Sequence, residues 1–185
     1  ATSLSEPALV WPGQRLTAWL NEGRLLPRPA TGHPNMVPYQ AFQAADAPLM
    51  VCCGNDRLFA AFAAVLGRPD WAADARFATN RRRLENREVL LEGIAAVLAT
   101  RSRAAWLDRL GPGGVPCGPI NTIPEVAREP QTEAVGLLLP VPGEDYRLLG
   151  LPVSFDGERP AIRAAAPALP GGAPGRAKGM GGTST

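Results

Sequence analysis

The fold of this chain is decided by the stretch YQAFQAADAPLMVCCGNDRLFAAFAAVL, residues 39–66. Two short segments, Tyr39 to Phe42 and Leu49 to Cys53, are separated by a polar turn, so we predict a β-hairpin. Asn55 or Asp56 then caps a helix, because a short side-chain oxygen satisfies an exposed amide of the first turn. The apolar stripe of that helix consists of Leu58, Phe59, Phe62, Val65 and Leu66. The stretch therefore predicts an α+β architecture.

Two further helices are predicted after this stretch. The apolar stripe of the first, which follows Asn86, consists of Leu90, Ile94, Val97 and Leu98. The second begins at a Ser102 cap and ends at Gly111. Glycine and proline then predict a loop over Gly111 to Pro119.

The outer segments are expected to be shorter or irregular. Leu4 to Leu20 has a helical pattern that Pro12 and Gly13 break, and Leu26 to Pro38 predicts a loop. A short helix is predicted near Pro124 to Arg128.

Strands are predicted at Val135 to Val141 and at Tyr146 to Phe155. Beyond Gly157 the composition turns to Ala, Pro and Gly, which cannot bury enough apolar surface to offset chain entropy. We therefore expect a disordered tail.

Composition excludes several classes of function. The formal net charge of +2 is too small to indicate a nucleic-acid partner. No apolar run approaches the roughly 18 to 20 residues that cross a bilayer, and no secretory signal is visible, so we expect a cytoplasmic protein without a membrane span. The number of cysteines is odd, and Cys52 and Cys53 are adjacent on a predicted strand, where successive side chains face opposite sides. We therefore expect reduced thiols. With His33 as the one histidine, we expect no metal site.

Five motifs occur in a fixed order: GHPNMVPYQAF at 32–42, CGND at 53–56, RFATN at 76–80 with Arg83 and Asn86-Arg87, GVPCGPIN at 114–121, and LPVSF at 151–155. In order and spacing they resemble the family III CoA-transferases, the CaiB/BaiF group that includes formyl-CoA transferase and carnitine CoA-transferases. The resemblance covers roughly residues 1 to 156.

The resemblance implies a fold. In that family the amino-terminal half forms a Rossmann-like nucleotide-binding domain, the next segment forms a small domain, and two chains interlock as a homodimer. This chain resembles the small α+β domain, with a short antiparallel sheet and packed helices, and lacks most of the large domain. We expect a helix and linker from the end of the large domain (1–32), the small domain (33–132), strands returning toward the large domain (133–156) and the tail (157–185).

The resemblance also implies chemistry. Family members use an aspartate nucleophile that forms a mixed anhydride and then an enzyme-carboxylate thioester with coenzyme A. The SLSEPAL pattern at 3–9 and its spacing from His33 place Glu6 at the nucleophile's position. A glutamate has a similar intrinsic pKa, roughly 4.3 against 3.9, but its extra methylene displaces the carboxylate.

The weaker candidates are the substrate-binding residues His33, Asn35 and Tyr39, which match a segment near the CoA thioester in relatives. Arg81 to Arg83 form either a phosphate contact or a solvated charged face. The Gly114 to Asn121 loop either closes an acyl pocket or only sets the backbone path, and the Cys117 thiol inside it is expected to be inert.

Three functions remain open at this point. The first is a truncated CoA-transferase whose parent activity moves CoA between an acyl-CoA and a carboxylic acid. The second is an isomerase like α-methylacyl-CoA racemase, and the third is a non-catalytic dimerisation remnant. Coenzyme A would be a substrate, no cofactor would be bound permanently, and we expect this chain alone to be inactive.

Overall fold

The structure is a computed structural model that describes residues 3–23, 25 and 30–167. The described residues fall into two compact units, divided between Ile120 and Asn121. The first unit contains α1 (Ser5–Val10), α2 (Gly13–Glu22), β1 (Tyr39–Gln43), β2 (Pro48–Cys52), α3 (Asp56–Val65), α4 (Asp70–Ala73), α5 (Asn80–Glu85), α6 (Arg87–Leu98), α7 (Arg103–Leu110) and β3 (Cys117–Pro119). The second contains α8 (Ile123–Arg128), α9 (Pro130–Val135), β4 (Leu138–Pro140) and β5 (Arg147–Leu149). The predicted α+β class is confirmed.

The predicted hairpin is formed by β1 and β2, which pair antiparallel with Tyr39 opposite Cys52. A third strand, β3, pairs antiparallel with β2 and places Cys117 opposite Val51. We expected a loop at β3, and that prediction was wrong. Its glycines and prolines give no strand pattern, but the free edge of β2 supplies partners for its backbone, beginning with the bond from Cys52 N to Pro116 O at 2.9 Å.

One apolar core joins the sheet to helices α3, α4, α6 and α7 of the first unit. Trp106 is buried in α7, and its indole N–H donates to Leu98 O at the end of α6, at 2.8 Å. The other large buried side chains of this core include Phe42, Leu49, Val51, Phe59, Phe62, Leu90, Ile94 and Leu110. The apolar stripes predicted from sequence therefore face this core.

Side chains cap two of the predicted helices as expected. Asn55 Oδ1 accepts from Leu58 N at 2.9 Å, and Ser102 Oγ accepts from Ala105 N at 3.3 Å. The amide of Asn86 instead donates backward to the end of α5. The break at Pro12 and Gly13, which separates α1 from α2, is also confirmed.

Several element boundaries differ from the predictions. The short helices α4, α5 and α9 were not predicted, because four to six residues carry too little periodicity. The segment expected to be a strand from Val135 begins as the end of α9, and Gly136 then adopts a left-handed conformation with φ of 63°. The second expected strand is confined to β5, followed by an isolated bridge between Phe155 and Glu158.

Two predicted irregular segments lie partly outside the described residues. Positions 30–38 of the predicted loop carry neither helix nor strand, while 26–29 are not described. Of the predicted tail, 157–167 are described and 168–185 are not. The four-part division of the chain stays a prediction. Across the described segments, no helix combines the length and apolar character needed to traverse a bilayer.

Candidate functional site

A tight turn brings together three of the predicted site residues, His33, Asn35 and Tyr39. His33 N donates to Tyr39 O at 2.8 Å, and Asn35 N donates to His33 Nδ1 at 3.1 Å. The rings of His33 and Tyr39 lie 5.4 Å apart at an angle of 54°. Since Nδ1 accepts a hydrogen bond, the proton of the neutral imidazole is on Nε2, which leaves Nε2 as the donor of the ring.

Tyr39 begins β1 and lies opposite Cys52 of β2. A hydrogen bond with the Cys52 side chain, together with the repulsion that its thiolate would exert and a smaller desolvation effect, raises the pKa of Tyr39 above its ordinary value. The phenol is therefore a neutral hydrogen-bonding group at physiological pH.

A buried arginine lies beneath this turn. The Arg83 side chain has no exposed surface, and its Nε donates to Val37 O at 2.6 Å. Nη1 donates to Phe77 O at 2.9 Å, and Nη2 donates to Asp56 Oδ1 at 2.7 Å. The guanidinium carbon lies 4.3 Å from the centre of the Phe59 ring. Arg83 thus joins the turn, the segment before α5 and the start of α3.

Asn80, one turn earlier in α5, holds the same segment. Its Oδ1 accepts from Val37 N at 3.1 Å, and its Nδ2 donates to Asn35 O at 2.8 Å. Its own backbone N–H donates to Asp56 Oδ1 at 2.9 Å. Asp56 Oδ1 consequently accepts from both α5 residues and ties α3 to α5.

Arg87, at the start of α6, contacts the first residue of the turn and the residue that follows the turn in β1. Its Nη1 donates to His33 O at 3.1 Å, and its Nη2 donates to Gln40 Oε1 at 3.3 Å. The side chain is half-buried, and both of these bonds stabilise the turn.

The sequence interpretation of the arginine run was wrong for Arg83. Arg81 and Arg82 are exposed and pair with Glu85 at 3.1 and 3.0 Å, as a solvated face would. Arg83 points into the core instead, so it belongs neither to that face nor to a phosphate contact. The sequence carried no signal for this burial, because α5 is too short to show a helical period and the acceptors on Val37 and Asp56 lie 46 and 27 residues away in the chain.

Asp56 also does more than the sequence indicated. Asn55 is the cap of α3, whereas Asp56 is the acceptor that α5 uses. Sequence reasoning could not assign this role, because the partners lie 24 and 27 residues further along the chain.

Glu6 lies in the first turn of α1, on an exposed surface. Its Oε2 accepts from Ser3 N at 2.6 Å, and its own N–H lies 3.4 Å from Ser3 Oγ. This reciprocal pair has the pattern of a capping box. Glu6 is thus bonded within its own helix start, while the other three candidates are gathered at the turn.

The cysteine thiols differ in their surroundings. Cys53 is buried, and burial is the main effect that raises its pKa to about 12. Burial is also the main cause of the raised pKa of Cys117, which is half-buried in β3. Cys52, Cys53 and Cys117 are all free thiols, as expected. In the described ranges, no three potential metal ligands lie close enough together to hold an ion.

Known proteins resemble this chain in sequence. The acetyl-CoA:oxalate CoA-transferase of Acetobacter aceti is 36% identical over 168 residues, which are 90% of this chain and 43% of the relative. The succinyl-CoA:glutarate CoA-transferase of Mus musculus is 36% identical over 109 residues, 59% of this chain and 25% of the relative. The chain therefore spans less than half the length of these relatives.

Solved structures resemble the chain in fold. A CAIB/BAIF family protein from Brucella suis has a TM-score of 0.77 at 32% identity, over 85% of this chain and 41% of that one. Rv3272 from M. tuberculosis has a TM-score of 0.73 at 21% identity, over 87% of this chain and 41% of that one, which supports the fold alone. The sequence profile of the family described as CoA-transferase family III matches residues 1–173 of this chain. The chain belongs to CoA-transferase family III.

Proposed function

We propose that this chain contributes the turn and the nucleophile position of an acyl-CoA:carboxylate CoA-transferase. The observation that carries the proposal is the family match over residues 1–173, within which the motifs of the sequence analysis stand in order. The relatives are named for transfer of CoA from acetyl-CoA to oxalate and from succinyl-CoA to glutarate, which favours transfer over the isomerase alternative.

The proposed reaction begins with the Glu6 carboxylate. One carboxylate oxygen attacks the carbonyl carbon of the acyl-CoA thioester, and the C–S bond breaks. The CoA thiolate departs, and the acyl group and Glu6 are then joined as a mixed anhydride. The thiolate then attacks the Glu6 carbonyl, which releases the donor as a carboxylate and forms a glutamyl-CoA thioester. The acceptor carboxylate then attacks the glutamyl-CoA thioester, which releases the CoA thiolate and forms a second mixed anhydride. The thiolate attacks the acceptor carbonyl of this anhydride, so that the acceptor leaves as its CoA thioester and the Glu6 carboxylate is regenerated.

In this proposal His33, Asn35 and Tyr39 contact the substrate. The tautomer with a proton on His33 Nε2 presents a donor, and the neutral Tyr39 phenol can donate as well. Donors of this kind stabilise the oxyanion that develops on a thioester carbonyl during attack. Substrate contact by these three residues is therefore the role that fits their chemistry.

The test uses a chimera, in which this chain replaces the aligned region of the Acetobacter aceti relative. The chimera is incubated with acetyl-CoA and oxalate, trapped with hydroxylamine, and analysed by peptide mass spectrometry. We expect a hydroxamate on Glu6 and none in the matched Glu6→Gln chimera. Turnover without modification of Glu6 would contradict the nucleophile assignment.

The non-catalytic alternative is favoured by one observation, the engagement of Glu6 with Ser3 at the start of α1. It predicts a folded chimera that is inactive with glutamate and with aspartate at position 6. For the 185-residue chain alone we expect neither adduct nor tight binding of CoA in calorimetric titration. Tight binding would contradict our expectation that most of the CoA site lies elsewhere.

A cytoplasmic location and a homodimer complete the proposal, and both rest on the resemblance to the family. Analytical ultracentrifugation of the chimera checks the second, with a dimer as the expected species and a monomer as the contrary result.

A further inference from the structure

A buried cation with most of its hydrogen bonds directed at backbone carbonyls is expensive to keep in a small core. Arg83 is fully buried, while Asp56, its one ion-pair partner among the described residues, keeps 54% of its side chain exposed. Removing a guanidinium from water is costly unless its donors are satisfied in good geometry. Its placement therefore calls for an explanation beyond packing.

The groups that Arg83 and Asn80 hold lie between the candidate site residues. Both backbone polar groups of Val37 are bonded to α5, N–H to Asn80 Oδ1 and carbonyl to Arg83 Nε. The carbonyl of Asn35 is bonded to Asn80 Nδ2. Together these three bonds hold the backbone of Asn35 and Val37, inside the turn from His33 to Tyr39.

Other parts of the chain hold the turn at Pro38, whose carbonyl accepts from Cys53 N at 2.9 Å, and at His33, whose carbonyl accepts from Arg87 Nη1 at 3.1 Å. The internal bonds of the turn are His33 N to Tyr39 O and Asn35 N to His33 Nδ1. The second bond sets the imidazole tautomer, so a shift of the 35–37 backbone would release Nδ1 and let the ring change its proton position. The orientation of His33 is thus coupled to α5 through the backbone.

We propose that Arg83 is a positioning residue, which holds the Val37 carbonyl and thereby fixes His33, Asn35 and Tyr39 in their mutual arrangement. The inference rests on the proposed function for the role of those three residues in binding substrate. The structural part of the inference, that the buried Arg83 guanidinium sets the tautomer of His33, does not depend on the proposed function. A lysine does not replace Arg83, because a single ammonium cannot present the planar fork that reaches three acceptors.

The chain offers a clean reporter for this inference, since His33 is its one histidine. The ¹⁵N spectrum of the neutral imidazole gives the tautomer of a single ring, and hydrogen exchange of the Asn35 amide reports the bond to Nδ1. Both are measured on the 185-residue chain, in Arg83→Lys and Arg83→Met variants. We expect the Nε2–H tautomer in the parent chain, a mixture of both tautomers in the variants, and loss of protection at Asn35.

Two controls separate positioning from general destabilisation. Arg82→Met removes the neighbouring exposed guanidinium, and Leu98→Ala opens a cavity in α6 away from the turn. Both are expected to keep the parent tautomer, although Leu98→Ala lowers the melting temperature. An unchanged tautomer in a folded Arg83 variant, or the same change in Leu98→Ala, overturns the proposal.

If both Arg83 variants fail to fold, Asn80→Ala carries the test, because Asn80 is only half-buried and bonds the N–H of Val37, whose carbonyl Arg83 holds, as well as the carbonyl of Asn35. Loss of Asn35 protection is then the expected result, and retained protection contradicts the proposal. None of these measurements uses CoA, so an inactive chimera leaves the positioning result unaffected, and the reverse also holds.

Discussion

The Asp56 carboxylate and the Arg83 guanidinium meet at 2.7 Å between Oδ1 and Nη2, although 27 residues separate them in the chain. The same Oδ1 accepts the backbone N–H of Asn80. A single carboxylate oxygen at the start of α3 therefore accepts hydrogen bonds from two residues of α5. The same two residues of α5 hold Val37, inside the turn that begins at His33.

Replacing this acceptor is expected to weaken the fold. Asp56→Ala leaves one guanidinium donor of a buried arginine without its acceptor, which we expect to lower the free energy of unfolding by about 1 to 3 kcal/mol. Urea denaturation followed by circular dichroism measures the change. Asp70→Ala, which breaks the exposed pair with Arg68, should have a clearly smaller effect. Equal effects of the two substitutions would contradict a special role for Asp56.

Asp46, in the turn between β1 and β2, is expected to make the free energy of unfolding depend on pH in the acidic range. Asp46 Oδ1 accepts from Arg103 N at 2.7 Å and from Ala47 N at 2.8 Å, and the Arg103 bond is the main cause of a lowered pKa. A carboxyl whose pKa is lower in the folded state stabilises the fold above its unfolded pKa, near 3.9, and loses that contribution as the pH falls through the folded value.

Asp46→Asn tests this dependence because an amide oxygen can still accept both bonds but does not titrate. Thermal unfolding from pH 6 down to pH 2 should show a shallower loss of melting temperature in the variant than in the parent chain. Parallel curves for the two proteins would contradict the link between Asp46 and acid stability.

The buried thiol of Cys53 is expected to resist alkylation. Burial raises its pKa to about 12, so the reactive thiolate is scarce at pH 8 and the sulfur is also inaccessible. In a Cys52→Ser background, which removes the adjacent thiol, iodoacetamide should leave Cys53 unmodified in the native protein and label it fully in urea. Labelling at equal rates in both conditions, read by tandem mass spectrometry, would show that Cys53 is not buried.

Shortening the proposed nucleophile is expected to increase the rate of the chimera. If the site is built for the shorter side chain, Glu6→Asp moves the carboxylate back by about the length of one methylene, and displacements near 1 Å change rates by up to roughly a hundredfold. Steady-state kinetics with acetyl-CoA and oxalate measure kcat. A rate that falls in Glu6→Asp would indicate that the surroundings have adapted to glutamate.

The sequence by itself determined the class of the fold and its main elements. The hairpin of β1 and β2, the caps at Asn55 and Ser102 and the apolar stripes of α3 and α6 depend on neighbours within a few residues, so local patterns predict them. The ordered motifs also determined the family, which the match over residues 1–173 confirms.

Only the tertiary structure decided the pairing of β3 and the roles of Asp56 and Arg83. A strand of three residues carries no period, and it exists because the edge of β2 is available to it. Arg83 reads as one of three consecutive arginines, and its burial follows from the rotation of α5 against α3 and the turn. The α5 partners of Asp56 and the Val37 partner of Arg83 lie 24 to 46 residues away in the chain, and the β2 partners of β3 lie further away still. Local sequence patterns span only a few residues, so contacts of this kind form only when the chain folds.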